Sequence, residues 1–519
     1  MTDAKVAPAA AVTSAPEDDK ILAVQPSHVE ADDNVDADDQ KGDFSVVQKP
    51  ESIRNMTHDE IRALERRMVR KLDFVIIPII GILYVFNYVD KSALAASKVY
   101  GIMDDLNMST NDFATAISIL FAGYLPFQIP SNLIMTKIPR PGLYLCLAAT
   151  VWGIVSALTA VVHSKEGLYA QRVFLGVTEA VFFPGVIYYL SAWYTKQELG
   201  KRLAALFMFQ MLGSAFGGFI AAACLTLDGR YGIAGWRWLF IVEGACTVGC
   251  GLLFSLVMPE YPHNARLLNK VERDYAVWRI ENEAGAGEAH DDTGTFAGFK
   301  LAILDPKVWA LVFSMGMIQA MGSTVNFFPS IVQTLGYSNL ITLLLTAPPY
   351  VLAAIWFYIF SNISDRKNII YPFVVIGIAL AAIAYSISLA TLNTGARYFA
   401  MMLIPATVAG PQILVYKTLN LHIARPYPKR AAGVAMINSI GGISNIWASY
   451  LYVDAPHYYV AFGTCFGCAA LLLTTITVYR WHVRRLNRLL DGTPEEVAEA
   501  MKSGVTQTQV DLGWRYVGY

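Results

Sequence analysis

Twelve stretches of predominantly apolar residues dominate this chain, at about 72–92, 113–134, 143–162, 168–192, 203–226 and 238–258, then at about 307–329, 340–361, 369–391, 397–418, 431–452 and 458–480. Each is near the roughly 20 residues that cross a hydrocarbon core. Inside that core every backbone N–H and C=O must be satisfied within its own segment, so the spans are expected to be helices. The sequence therefore predicts an all-α membrane protein with twelve transmembrane helices. Composition agrees: of 519 residues, 55% are hydrophobic and only 16% charged, with mean hydropathy +0.41, too apolar for a soluble globule of this size.

The formal net charge of -1 conceals a segregation along the chain. Arg66, Arg67, Arg70 and Lys71 precede the first span, and Arg480, Arg484, Arg485 and Arg488 follow the last. Lys137 with Arg140, Lys196 with Lys201 and Arg202, Arg366 with Lys367, and Arg425 with Lys429 and Arg430 fill alternate loops. Because basic loops stay on the cytoplasmic side, both termini and the long central loop are expected there. Residues 1–71 read as a disordered acidic tail followed by a basic flank, in which Thr57 and Glu60 fit a capping box for a short amphipathic surface helix. Residues 259–306, with their Gly, Ala and acidic run, read as a flexible cytoplasmic linker between a 72–258 half and a 307–480 half, and 481–519 as a second cytoplasmic tail. In that tail Thr493-Pro494 reads as a helix cap with its N1 proline. No secretory signal peptide is visible.

The two halves repeat. Lys201-Arg202-x-Ala204-x-x-x-Met208-x-Gln210-x-x-Gly213 aligns with Lys429-Arg430-x-Ala432-x-x-x-Met436-x-Asn438-x-x-Gly441 at an offset of 228 residues. Arg172-Val-Phe with Gly185 echoes Arg397-Tyr-Phe with Gly410 at an offset of 225. Both Lys-Arg copies open a helix on the same side, so the repeat is parallel, with six helices in each half.

Polar groups inside the spans mark the helices that face a polar space, because an ionisable side chain in a bilayer costs about 2.5 to 3.5 kcal/mol. Arg172, Gly176, Glu179 and Phe183 recur at steps of four, three and four and so share a face of span 4. Asn87, Asp90 and Lys91 fall on span 1, Gln128 and Asn132 on span 2, Gln210 on span 5, Gln319 and Asn326 on span 7, Gln412 and Lys417 on span 10, and Asn438 and Asn445 on span 11. Spans 3, 9 and 12 lack such residues through their centres and read as lipid-facing supports. Glu243 on span 6 is expected to bond a neighbouring helix.

Several motifs resemble a major facilitator superfamily transporter, specifically the fungal anion:cation symporter group typified by allantoate permease. They are Asn87-Tyr-Val-Asp90-Lys91, Pro126-Phe-Gln-Ile-Pro-Ser-Asn132, Arg172 to Gly185, Gly235-Trp-Arg-Trp-Leu-Phe-Ile-Val-Glu-Gly244, Asn326-Phe-Phe-Pro-Ser-Ile-Val-Gln-Thr-Leu-Gly-Tyr337 and Lys429-Arg430. The resemblance spans about residues 72–490 and implies alternating access, with a proton gradient driving uptake of a small organic anion and Arg172 tied to proton coupling. It also implies a basic inner gate, here Lys137 and Arg140 between spans 2 and 3, where the usual Asp is missing, and Asp365 with Arg366 in the second half. Lys91 stands where the family more often has Arg, which keeps the charge and loses the planar fork.

The residues leave alternatives open. Arg172 either faces the cavity or snorkels to the headgroups. Glu179 either carries the proton or stays ion-paired to Lys417 or Lys91. Lys417 either draws in a substrate carboxylate or sits at the end of span 10, and Asn326, Gln412 and Asn438 either bond substrate or join helices. Proton-coupled efflux of drugs or secondary metabolites is the competing function. An enzyme is disfavoured, since all eight histidines lie in tails, loops or span ends and no catalytic motif is present. Cys465-x-x-Cys468 has metal spacing in apolar surroundings and reads as helix packing. The expected partners are a small anionic solute, protons and the lipid bilayer, with no nucleic acid, cofactor or metal. A monomer in the plasma membrane suffices.

Overall fold

The computed structural model describes residues 48–519 apart from 136, 289–294, 368, 424–425, 506–509, 511–513 and 519. The acidic tail expected over the first 47 residues lies outside the described residues. Among those described there is no strand, and the long helices follow the predicted spans. Spans 1 to 6 are His58–Ser97, Thr110–Met135, Pro141–Ala157 with the 3-10 turn Leu158–Val161, Lys165–Glu179 continued by Phe182–Ser191, Lys196–Leu225 and Gly235–Ser255. Spans 7 to 12 are Pro306–Gly322 continued by Phe328–Gln333, Asn339–Leu344 continued by Ala347–Lys367, Tyr371–Ala390, Thr394–His422, Tyr427–Gly442 continued by Ser444–Ala448, and Tyr459–Leu490. Ten of these are individually long and apolar enough to cross a membrane. Spans 2 and 11 complete the set: span 2 carries two internal prolines, and span 11 is divided after Gly442 and opens with a Lys-Arg pair.

Three boundaries differ from the sequence reading. The Thr57 capping box forms, with the Thr57 N–H donating to Glu60 Oε2 over 2.8 Å, but it starts a 40-residue helix that runs unbroken through the first span. No glycine or proline separates the basic flank from the apolar segment, and the later Pro78 is absorbed within the helix. The segment after span 6 is no loose linker, since helix Lys270–Glu288 packs beneath the first half. Its buried residues Glu272, Tyr275, Ala276 and Arg279 recur at three, one and three, a helical face that the acidic run further on obscures. The tail after span 12 also docks. Tyr516 is buried, its backbone pairs with the Asn487 side chain, and the Gly518 carbonyl accepts from the N–H of Ile370 over 2.9 Å. The Thr493 cap and its N1 proline form as expected.

Packing follows the repeat. Span 1 lies against spans 5 and 6, span 2 against span 4 and span 3 against span 6; span 7 lies against spans 11 and 12, span 9 against spans 10 and 12 and span 8 against span 10. The halves meet where span 5 packs on span 8 and span 2 on span 11. Spans 3 and 9 turn apolar stripes outward, such as Leu147, Val151, Ile154 and Leu158, spaced at four, three and four. At the end of the bundle away from the basic loops the halves are joined by hydrogen bonds. The Asn339 amide donates to Val99 O over 3.3 Å, Ser118 Oγ donates to Ile446 O over 2.9 Å, and the hydroxyls of Thr115 and Tyr450 lie 3.0 Å apart.

Candidate functional site

Proline chemistry shapes the polar centre. Pro184 has no N–H to return to Ala180 O, and span 4 breaks at Ala180 and Val181, directly after Glu179. In span 7 Pro329 likewise cannot bond Val325 O, and residues Ser323–Phe327 tighten into a 3-10 turn that carries Asn326. Irregular backbone at membrane depth is tolerated where it lines a cavity or is enclosed by protein. Here both conditions hold.

A cavity of about 240 Å³ lies between the halves. Span 1 contributes Tyr84, Asn87, Tyr88 and Lys91; span 2 contributes Tyr124 and Gln128; span 5 contributes Gln210 and Ser214. From the second half come Gln319 and Asn326 of span 7, Tyr350 of span 8, Gln412 and Tyr416 of span 10, and Asn438 and Asn445 of span 11. Among the described residues spans 3, 9 and 12 add nothing to the lining, as expected, and neither does span 6, whereas span 8 lines it through Tyr350 without a central amide. Lys91 is the one ionised side chain among the described residues that line it.

Lys91 has two sets of partners. Towards span 4 its Nζ lies 3.5 Å from Glu179 Oε2, and along its own helix it donates to Asn87 Oδ1 over 2.9 Å. Its ammonium also stands 4.8 Å from the ring centre of Tyr88 and 5.2 Å from that of Tyr124, an aromatic setting that stabilises a cation. Glu179 itself is buried and absent from the cavity lining. The Lys91 partner is therefore realised and the Lys417 partner is not.

Behind this wall lies a cluster of charge. Asp90 is buried and accepts from Ser156 Oγ of span 3 over 2.8 Å. Glu243 of span 6 is also buried, and neither of its carboxyl oxygens accepts a hydrogen bond from the described residues. Arg172, 1% exposed, acts electrostatically on Asp90, Glu179 and Glu243 and stands 5.6 Å from the Phe240 ring centre. It does not snorkel. Its side chain borders a side chamber of about 60 Å³ shared with Lys91 and Asn326.

The remaining expected residues separate into two groups. Asn87, Asn326, Gln412 and Asn438 line the cavity, and Tyr416 Oη donates to Asn438 Oδ1, which turns the Asn438 NH2 group free to donate. Lys417 lies off the lining, with its ammonium 3.3 Å from Ser364 O on span 8. Lys137 and Arg140 are exposed in the turn between spans 2 and 3. Asp365 and Arg366 end the helix Ala347–Lys367, and their side chains lie outside the described residues. The cavity tyrosines were missed from sequence. Their signal was available in the stripe Tyr84, Asn87, Tyr88 and Lys91, spaced at three, one and three.

Cys465 and Cys468 are buried in packing positions, and among the described residues no cluster of metal-ligating side chains occurs.

Comparison with known proteins agrees with this arrangement. The family model of the Major Facilitator Superfamily matches residues 80–449. An uncharacterised transporter of Schizosaccharomyces pombe is 30% identical over 453 residues, covering 86% of this chain and 92% of that protein. A major facilitator-type transporter of Emericella nidulans is 30% identical over 473 residues, covering 87% and 93%. The high-affinity nicotinic acid transporter of Saccharomyces cerevisiae is 28% identical over 425 residues, covering 80% and 78%. Among solved structures, a bacterial homologue of the human lysosomal transporter Spinster, inward-facing and occupied, superposes with TM-score 0.61 at 14% identity over 79% of this chain and 96% of that one. A D-xylose-proton symporter gives 0.57 at 14% identity, over 77% and 97%. The chain belongs to the Major Facilitator Superfamily: it is a multi-pass membrane transporter of small molecules and not an enzyme.

Proposed function

We propose that the protein is a proton-coupled importer of a small organic anion, of the allantoate permease-like anion:cation symporter group, acting by alternating access in the plasma membrane with both termini in the cytoplasm. The observation that carries this reading is the Lys91 to Glu179 pair. The one ammonium that faces the cavity among the described residues is also the counter-charge of a buried carboxylate. While Glu179 is ionised it competes with any anion for Lys91. A proton on Glu179 removes the competitor and frees the ammonium for a substrate carboxylate, so proton and anion favour each other's binding.

Roles follow from position. Asn87, Asn326, Gln412 and Asn438 offer hydrogen bonds to the solute, while Arg172 and Asp90 hold the charge behind the wall. Two halves, 72–258 and 307–480, rock about the cavity. Lys137 and Arg140, with Asp365 and Arg366, belong to the cytoplasmic gate, and Lys417 stands beside it. The hydrogen bonds from Asn339, Ser118 and Thr115 then close the outer side. The nicotinic acid transporter among the relatives supports an acid as cargo.

Uptake of labelled organic acids by cells expressing the protein, with and without a protonophore, tests the reading. Accumulation should collapse with the protonophore, and Glu179→Gln should exchange substrate without concentrating it. Normal proton-driven accumulation by Glu179→Gln would sink the assignment of the carrier, and lowered internal solute on expression would indicate efflux.

A further inference from the structure

We propose that helix Thr295–Leu304, in the segment between the halves, is seated in the bilayer leaflet on the side of the basic loops, where it holds the starts of spans 7 and 11. The inference concerns a lipid partner and goes beyond the reading of cargo and coupling above.

A built elbow joins this helix to span 7. Pro306, which has no N–H, opens span 7, and Asp305 caps it, with Oδ1 accepting from the Lys307 N–H over 2.8 Å. The Trp309 indole reaches back and donates to Ile303 O over 2.7 Å, satisfying a carbonyl at the end of the shorter helix. The inner side of that helix packs on span 11, with Gly298 and Ala302 buried four residues apart. A Cβ added at Gly298 would meet the Pro428 side chain and come within 2.9 Å of Lys429 N, so the approach requires glycine. Asp305 also pairs with Lys429 Nζ over 2.7 Å, and both are buried. One short helix thus fixes the first turns of two spans.

Its outer side is apolar and exposed. Phe296 is 82% exposed and Leu304 67%, and Phe299, Leu301 and Ile303 are exposed with them. Lys300 is the one charged side chain of the helix. Water would be a costly cover for such a surface. The stretch before span 1 shows how this chain builds a wetted flank, for there the exposed positions include Arg62, Arg66 and Arg70.

Three observations select lipid as the cover. The exposed apolar series continues along the chain into span 7 through Trp309 and Phe313. Tryptophan concentrates where membrane meets water, which places the elbow at that depth. A lone lysine among apolar residues suits a helix lying in that boundary, its ammonium reaching the headgroups. Other occupants fit less well. The first 47 residues are rich in Asp and Glu and would find a single ammonium on this face. A second copy would find a helix about 15 Å long, far short of the roughly 800 Å² per partner that a stable dimer buries.

Photocrosslinking of the full-length protein in liposomes tests the seat. p-Benzoylphenylalanine in place of Phe296 or Phe299 should give a phospholipid adduct as its main product, identified by mass spectrometry. The same group in place of Glu281, exposed on helix Lys270–Glu288, should give at least about tenfold less. Phe296→Trp adds a depth readout. With the parent emission subtracted, its fluorescence should be quenched by lipids brominated near the glycerol end of the chain and shielded from iodide in the water. Main products joining position 296 to residues 1–47 or to a second copy overturn the proposal. So do lipid adducts no more frequent than at position 281, or iodide quenching equal to that of free tryptophan. None of these readouts depends on transport, so proton-coupled uptake stands or fails separately.

Discussion

The two halves share a plan and differ in what they place at its centre. In the first, Arg172 stands 5.6 Å from Phe240 of the half's last span; in the second, its counterpart Arg397 stands 5.8 Å from Phe462 of that half's last span. Arg172 then faces Asp90, Glu179 and Glu243, whereas Arg397 spends its guanidinium on the backbone carbonyls of Pro456 and His457. The repeat position of Glu179 is Ile404, fully buried and apolar. One arginine has become part of a charge network and the other a loop clamp. Among the described residues that line the cavity the same fold therefore separates two tasks, with the one ionised side chain, Lys91, in the first half and only neutral groups supplied by the second.

The largest expected effect comes from breaking the charged side. Lys91→Met leaves Glu179 buried without its partner and should cost about 3–5 kcal/mol of stability, with loss of anion uptake. Adding Glu179→Gln should recover most of the stability and none of the proton-driven accumulation. Thermal unfolding in detergent beside uptake assays checks both, and a double variant no more stable than the single one would separate the pair energetically.

Backbone spacing gives the next contrast. Spans 2 and 4 touch through Gly176, where an added Cβ would meet the Leu120 carbonyl and come within 2.9 Å of Tyr124 N. The aligned residue in the second half is Met401, so its helices need no such approach. Gly176→Ala should cost about 1–3 kcal/mol because backbone must move. Gly410→Ala, with nothing within 4 Å of its Cβ, should be neutral or gain up to about 1 kcal/mol in helix propensity. Denaturation midpoints of the two variants check the pair.

Charge can also be moved across. Gln412→Lys places a cation on the neutral wall, and dicarboxylates should then gain about tenfold over the parent protein in competition with the best monocarboxylate. An unchanged preference would mean that the second half does not meet the part of the cargo that carries charge.

Much of this was legible in the sequence. Span length and alternating basic loops gave the helices, and the Lys-Arg repeat gave the halves. Amides at span centres named most of the lining helices, because an unpaired amide in lipid is too costly to place elsewhere, but not span 8, which lines the cavity through Tyr350. Pairing was the part that could not be read. Whether Glu179 meets Lys91 or Lys417 depends on how separate helices rotate against one another, which periodicity within each helix does not encode. The docked linker and tail were missed for another reason. Each buries only a few residues, so their faces are lost among polar neighbours when composition is averaged over the whole segment.

The smallest expected effect concerns the brace beneath the first half. Helix Lys270–Glu288 is tied to span 1 by Glu272, whose carboxylate accepts from Lys71 Nζ over 2.7 Å and lies 3.9 Å from Arg67 Nε. It also caps its own helix by accepting from Asn269 N–H over 3.0 Å. Burial alone would push this carboxyl up; the Lys71 ammonium, the Asn269 N–H and Arg67 outweigh it and hold it below the ordinary carboxylate range. A carboxyl held lower in the folded state contributes stability that is fully present above its unfolded value of about 4.3 and is lost as pH falls through the folded one. Amide exchange in residues 270–283 should therefore accelerate on going from pH 7 to below pH 4, after correction for the intrinsic rate. Glu272→Gln should show the faster exchange already at pH 7 and little further change on acidification. The tail that docks under the second half has its own tie, the Arg515 to Asp491 bridge of 2.7 Å, and it lies at a more exposed site. Screening there makes the bridge weak, so 0.5 M salt should loosen the tail more than the linker helix. Equal loosening of both would show that burial of Glu272 gives its ion pairs no protection from solvent.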